Sequence, residues 1–306
     1  MKSIKHKSMK KFLLLSTMLL VSLVGSAQVK VAPKMQKGDK KTYVMESVMT
    51  LQGKEMKMTC ESVLEVKEAK ADGYVIDYTI VDVQSNNDAS DFTGRILALS
   101  NEILKKSHQQ YLTDKDGKVV KVLNYEEVKK GIGETCEKLV DELLAQSPDL
   151  GSMISKEMLM KQVMDGFTEE TLLKTLHTVT SPFALNGKTI VTGAQDEYEN
   201  VQGLKMKRMY FVNGDGSIVT SSTMNMSKDE MKKMIIEQVE KMAPDQAEMV
   251  KQNIDMVMNS GMMKIESTEK ATYTFQADGW VSSIKAEVSC DAMGQKTVSN
   301  TIVRLK

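Results

Sequence analysis

The sequence predicts an α+β protein: curved antiparallel sheets with helices packed on one face, arranged as two related lobes. Three observations predict it. Apolar and polar residues alternate over long runs, the period of a strand with one wetter face. Five turn pairs punctuate those runs: Asp72-Gly73, Asp116-Gly117, Asn186-Gly187, Asp215-Gly216 and Asp278-Gly279. In such pairs glycine, and to a lesser extent Asp or Asn, accepts the positive φ of a tight hairpin. Between the strand-like runs, two regions switch to helical spacing.

The elements follow in order. Tyr43, Met45, Ser47 and Met49 alternate with Val44, Glu46 and Val48. Gln52-Gly53 turns the chain, Glu55 to Ala69 forms the partner strand, and Tyr74, Ile76, Tyr78 and Ile80 line one face of the next. Asn124 with Glu127 reads as a capping-box variant opening a helix along Tyr125, Val128, Ile132, Cys136, Leu139, Val140 and Leu143. Shorter helices are predicted over Lys156 to Met164 and over Glu169 to His177, with Thr168 as cap. Ser227 with Glu230 repeats the capping pattern ahead of Met231, Met234, Ile235, Val239 and Met242. Asp245 starts a further helix that Gly261 stops. Strands over Met262 to Phe275, Trp280 to Cys290 and Lys296 to Leu305 close the chain.

A weak internal repeat supports two lobes. Tyr111 to Val120 matches Tyr210 to Val219 at a constant offset, and a capped helix follows each. The domain reading is therefore a leader over 1–27, a strand-rich lobe with a helical segment over 28–180, and a second lobe with an inserted helical hairpin over 181–306.

The leader sets the address. Lys2, Lys5, Lys7, Lys10 and Lys11 precede an apolar run from Phe12 to Val24, and Gly25-Ser26-Ala27 offers small residues for cleavage. That layout is a secretory signal peptide, cut between Ala27 and Gln28, with an apolar run shorter than the roughly 20 residues of a spanning helix. The expected product is exported, periplasmic or extracellular, without a transmembrane segment after cleavage.

Charge excludes one class of partner. The whole chain balances 41 bases against 41 acids, but the leader holds five of the lysines and no acid. The mature part is therefore net acidic, whereas a nucleic-acid binder needs a cationic face. Methionine is abundant, 25 residues against one Trp, eight Tyr and six Phe, which suits a core filled by flexible thioethers. Of the three cysteines, Cys60 and Cys290 fall in strand-like runs where a bridge is conceivable, and Cys136 sits on an apolar helix face. Simple burial is the plainer reading of all three.

No catalytic pattern emerges. The mature part has only His108 and His177, neither beside a nucleophile or acid in triad fashion, and Gly-x-Ser-x-Gly, a Walker loop and a zinc helix are absent. His177 falls near a helix end, where a cation suits the dipole. Asp114-Lys-Asp116-Gly117 and Asn213-Gly-Asp215-Gly216 resemble the start of a calcium loop but lack its later ligands, so they read as hairpin turns. Met56-x-Met58, Met158-x-Met160, Met224-x-Met226 and Met256-x-Met258 raise Cu(I) handling, since thioethers are soft donors. Core filling is again the plainer account. No catalytic, cofactor or metal residue is assigned. Trp280, the single Trp, follows Asp278-Gly279 and is the one candidate contact for a ligand or partner.

Gly38-Asp39-Lys40-Lys41-Thr42-Tyr43 before a Met- and Thr-rich strand pair resembles a group of exported bacterial proteins. So do Asp116-Gly117-Lys118-Val119 leading to a helix and Leu185-Asn186-Gly187-Lys188 entering the second half. After Gly187, Lys188-Thr189-Ile190 stands where that group usually has the Asp-x-Trp of a Gly-Asp-x-Trp motif. The group has no established activity, so the resemblance implies no site residue. The curved-sheet-and-helix plan is also similar to periplasmic lipoprotein and lipid carriers, at the level of fold.

Together these features point to a non-enzymatic, cofactor-free binding module for an apolar small molecule or lipid, or for an envelope protein partner. The alternative is a structural or interaction protein with a sealed core, and Cu(I) handling comes third.

Overall fold

In the computed structural model the described residues are 28–51, 53–86, 108–146, 155–242, 244–259, 265–292 and 295–306. The signal peptide expected over 1–27 lies outside them. The chain runs through β1 (Gln28–Lys30), β2 (Lys40–Leu51), β3 (Lys54–Lys70), β4 (Gly73–Ser85), β5 (His108–Asp114) and β6 (Val119–Val122). Helices α1 (Tyr125–Gln146), α2 (Lys156–Gly166) and α3 (Glu169–Thr175) follow. Then come β7 (Thr189–Val191), β8 (Gln195–Glu199), β9 (Lys205–Val212) and β10 (Ile218–Met224). Helices α4 (Lys228–Met242) and α5 (Pro244–Asn259) lead to β11 (Ile265–Phe275), β12 (Val281–Ala292) and β13 (Gln295–Leu305).

Alternation along the strands produces a single curved, open, 11-stranded antiparallel sheet in the order β6-β5-β4-β3-β2-β13-β12-β11-β10-β9-β8. A two-stranded ladder, β1 with β7, stands beside it. The molecule is predominantly β, with helices only partly packed on the sheet. Where the sequence predicts sheets in two lobes, β13 pairs β2 over nine residues and runs the two halves into one another. The matched segments around Asp116-Gly117 and Asp215-Gly216 do share a geometry. In both, the first turn residue donates to the carbonyl four residues on at 2.9 Å, and the glycine donates back at 3.0 Å. The same pair of bonds recurs at Asn200–Leu204 and Gln276–Trp280. All four are three-residue hairpin loops ending in a glycine of positive φ, the form favoured after a type I turn. A shared turn type thus accounts for much of the apparent repeat.

Gly73 departs from that grammar. Its φ is not positive; instead a Cβ there would stand 1.9 Å from the carbonyl oxygen of Thr113 on β5, so its place is fixed by close approach of the strands.

The main core lies on the inner face of the sheet. Tyr43, Leu64, Val66, Ile76, Tyr111, Ile218, Tyr273 and Ile284 project from the strands onto Val128, Ile132 and Cys136 of α1 and Leu172 of α3. The segment 176–187 between α3 and β7 adds Val179, Phe183 and Leu185. Tyr273 Oη ties it to the sheet by donating to the Val179 carbonyl at 2.8 Å. A smaller cluster of Met231, Ile254 and Met258 joins α4 to α5, with Met224 and Ile265 packed against it. No helix among the described residues is long and apolar enough to cross a membrane.

Cap geometry bears out two expectations and corrects one. Glu230 N bonds Ser227 Oγ at 3.2 Å while Ser227 N bonds the Glu230 carboxylate at 2.9 Å, a reciprocal capping box. Thr168 Oγ1 accepts from Thr171 N at 3.1 Å. The side chain of Asn124 turns away from α1: its Oδ1 accepts from Gln110 N at 2.8 Å and its Nδ2 donates to the His108 carbonyl at 2.9 Å. It pins the helix start to β5.

The conceivable Cys60–Cys290 bridge is excluded. All three cysteines are free. Cys60 lies on β3 and Cys290 on β12, with β2 and β13 between them. Three strand spacings amount to about 14 Å, twice the roughly 7 Å over which two Cα atoms can be bridged.

Candidate functional site

Period-two geometry decides which side chains face inward, and the ladder registers then align them across strands. In the first half, Tyr43 and Met45 of β2, Cys60 of β3, Tyr78 and Ile80 of β4 and Tyr111 of β5 share that face. They do not fill the space beneath α1 and α3. A cavity of about 320 Å³ remains, partly covered by Ile132, Phe167, Leu172, Leu176 and Phe183. Its walls are mainly aromatic and aliphatic, with Ser62, Gln109, Thr175 and Ser181 among the polar exceptions. Tyr78 stacks on Tyr111 at 5.9 Å between centroids, and Phe183 meets Tyr111 edge-on at 5.9 Å. Burial first, with the nearby Asp82 carboxylate second, pushes the Cys60 thiol up to about 11, so it is an inert thiol in an apolar wall.

Next to it lies a second cavity of about 450 Å³ with different chemistry. Thr178 and Thr180 line both, so the segment 176–187 stands between the two chambers. The floor of the second is a cross-strand row: Asp196 on β8 faces Arg208 on β9, which faces Ser222 on β10, which faces Glu269 on β11. Arg208 is buried, its side chain 2% exposed, with its guanidinium carbon 3.9 Å from the Tyr198 ring centroid. Its Nε stands 3.5 Å from Asp196 Oδ1, an ion-pair distance, yet neither Nε nor Nη1 makes a hydrogen bond.

Each neighbouring carboxylate gives one oxygen to other donors, while Asp196 Oδ1, like Arg208 Nε, makes no hydrogen bond. Asp196 Oδ2 accepts from Tyr210 Oη at 2.7 Å and from Lys188 Nζ. Glu269 Oε2 accepts from Tyr198 Oη at 2.6 Å. Burial alone would raise Asp196, but those two hydrogen bonds and the charge of Arg208 outweigh it and keep its carboxyl below the usual range. Burial first, and then the Glu269 charge, pushes Tyr198 upward, so its hydroxyl stays protonated and donating. His177 lines the same chamber half-buried. Burial, followed by the charges of Lys118, Lys188 and Arg208, holds it below its ordinary value. That is opposite to the shift a helix C-terminus favours, because α3 is only seven residues long and burial, with the cations behind it, prevails.

Trp280 is 3% exposed, packed in the main core with Lys41 Nζ 5.6 Å from its ring centroid, and lines neither chamber. His108 stands at the start of β5, its Nε2 3.3 Å from Asp77 Oδ2. The calcium-like carboxylates are engaged by their own turns: Asp114 Oδ1 accepts from Asp116 N and Lys118 N, and Asp215 Oδ1 from Ser217 N. Of the paired methionines, Met58 packs against Cys60, Ile80 and Val83, Met224 packs on the α4–α5 cluster, and Met158 and Met256 are exposed. Sequence reasoning passed over Arg208. The signal was there: Met206, Arg208 and Tyr210 share one strand face, so the two apolar neighbours place the arginine inside.

No protein-family model matches the chain, and no curated protein is significantly similar to it. Among solved structures, lipovitellin, described for its lipid–protein interactions, matches over 89% of this chain at 9% identity and a TM-score of 0.42. The chain spans 25% of that protein's length. A domain named for outer-membrane lipoprotein sorting, from Vibrio parahaemolyticus, matches 87% of this chain and 85% of its own at 7% identity, TM-score 0.17. A porin-like protein from Bacteroides uniformis matches 89% of this chain and 98% of its own at 11% identity, TM-score 0.18. All three scores fall below 0.5, and these distant likenesses fix neither activity nor ligand.

Proposed function

We propose that this is an exported, non-enzymatic binding protein that holds an apolar ligand between the inner face of its sheet and the cover formed by α1, α3 and the segment 176–187. The observation that carries this reading is the apolar chamber itself. Its volume of about 320 Å³ lies within the usual range of small-molecule sites, and its walls are mostly rings and aliphatic chains with a few polar side chains. A protein built only for scaffolding gains stability by closing such a space, because unfilled core volume costs contact energy. Export follows from the basic, apolar and small-residue order of the first 27 residues.

Native mass spectrometry of the mature protein, purified gently from the exported fraction of its own host, tests the reading. A lipid-sized mass is expected with the wild type. Ile80→Phe, which extends a wall residue into the chamber, is expected to lose it while keeping a wild-type melting curve. A clean apo mass in the wild type counts against the reading, and a mass retained by Ile80→Phe places the ligand elsewhere.

A further inference from the structure

The apolar chamber alone does not explain its neighbour. An arginine is always charged, and burying it with unmet donors costs free energy that stacking on a tyrosine only partly returns. Such a group calls for an acceptor. Arg208 is 2% exposed, lines the second chamber, and leaves Nε and Nη1 without hydrogen bonds. Asp196 gives Oδ2 to Tyr210 and Lys188, while its Oδ1, also without a hydrogen bond, faces Nε at 3.5 Å; Glu269 gives Oε2 to Tyr198, and no acceptor meets Nη1. Glu197 and Glu199 also line the chamber, but both are exposed and bond Asn225 and Lys174. Lys118 reaches the chamber with no carboxylate partner among the described residues.

We infer that this polar chamber takes the anionic headgroup, carboxylate or phosphate, of an amphiphile whose chain lies in the adjoining apolar chamber. Arg208 supplies the buried charge-assisted hydrogen bonds and Lys118 the charge at the rim. Thr178 and Thr180, common to both chambers, mark where headgroup gives way to chain. The inference rests on the reading given under Proposed function and adds the chemical class of the ligand.

The probes are dodecanoate, dodecan-1-ol and inorganic phosphate, titrated calorimetrically into the delipidated mature protein. The expected result is dodecanoate binding about ten- to a hundredfold tighter than the alcohol, the range of a charge-assisted contact, with phosphate far weaker. Arg208→Gln is expected to erase the preference and leave alcohol binding unchanged. Exposed Lys118→Gln is expected to weaken dodecanoate a fewfold, which keeps the test decisive if Arg208→Gln does not fold. Equal affinity for acid and alcohol overturns the headgroup assignment while leaving the apolar reading intact. Phosphate binding as tight as dodecanoate overturns the amphiphile in favour of a free anion. Failure of both chain-bearing probes overturns the underlying reading itself.

Discussion

The two chambers share one sheet and one cover segment yet answer to opposite physics. Around Tyr78, Tyr111 and Phe183 the walls gain by contact, and removing any ring costs stability. Around Arg208 the floor carries a cation with unmet donors, which is a standing cost in the unliganded protein. The difference teaches where stability was given up. A protein that keeps a buried charge incompletely bonded beside a well-packed aromatic wall has a reason for the charge other than folding.

The largest effect is expected on the apolar side. Phe183 is 2% exposed and contacts Tyr111 from the cover segment, so Phe183→Ala should lower unfolding free energy by about 3–5 kcal/mol. Urea denaturation measures this, and a loss below about 1 kcal/mol would break the comparison by making the cover a loose flap. The polar side should move the other way. Arg208→Met keeps length and apolar contact with Tyr198 but removes the unmet charge. Asp196 retains Lys188 and Tyr210 as partners. Replacing a whole buried ion pair by apolar volume stabilises by about 1–4 kcal/mol, whereas removing one partner destabilises when the other is left unpaired. Because Asp196 keeps two partners, the unliganded variant is expected to gain, by less than that range.

A smaller effect separates the chambers by pH. His177 has a folded value below its ordinary one of about 6.5. The unfolded chain therefore takes up the proton first as pH falls. Its contribution is fully present above about 6.5 and is lost as pH drops through that value toward the folded one. Asp196, also depressed, keeps its contribution until pH falls below about 4. Stability of the wild type should decline as pH falls below about 6.5 relative to His177→Asn, with the two curves parallel at higher pH. Coincident curves across that window would remove His177 from the buried positive environment.

Much of the sheet was legible because alternation and turn chemistry are local. The reciprocal bonds of Ser227 and Glu230, and the glycine of positive φ at Asp278-Gly279, follow from residues within a few positions of one another. What was not legible is non-local. Nothing near Leu51 or Thr297 announces that β2 and β13 pair and merge two expected lobes. Asn124 caps poorly for the same reason: its better partners, Gln110 N and the His108 carbonyl, belong to a strand more than a dozen residues away. Arg208 stood in between. Its inward direction could be read from Met206 and Tyr210, but its unmet donors depend on what β8, β10 and β11 place opposite it.

The smallest expected effect is also the most direct reporter of which chamber a ligand enters. Cys60 lines the apolar chamber, its thiol raised to about 11, and Cys290 is half-buried on β12 outside it. Because only thiolate reacts with alkylating reagents at useful rates, Cys290 should label first and Cys60 slowly, through transient opening of the cover. Dodecan-1-ol in the apolar chamber should slow Cys60 further and leave Cys290 unchanged. Inorganic phosphate, confined to the polar side, should alter neither. Mass-resolved labelling reads both sites in one experiment. If phosphate protects Cys60 as well as the alcohol does, the segment 176–187 is not a divider, and the two chambers act as one cavity.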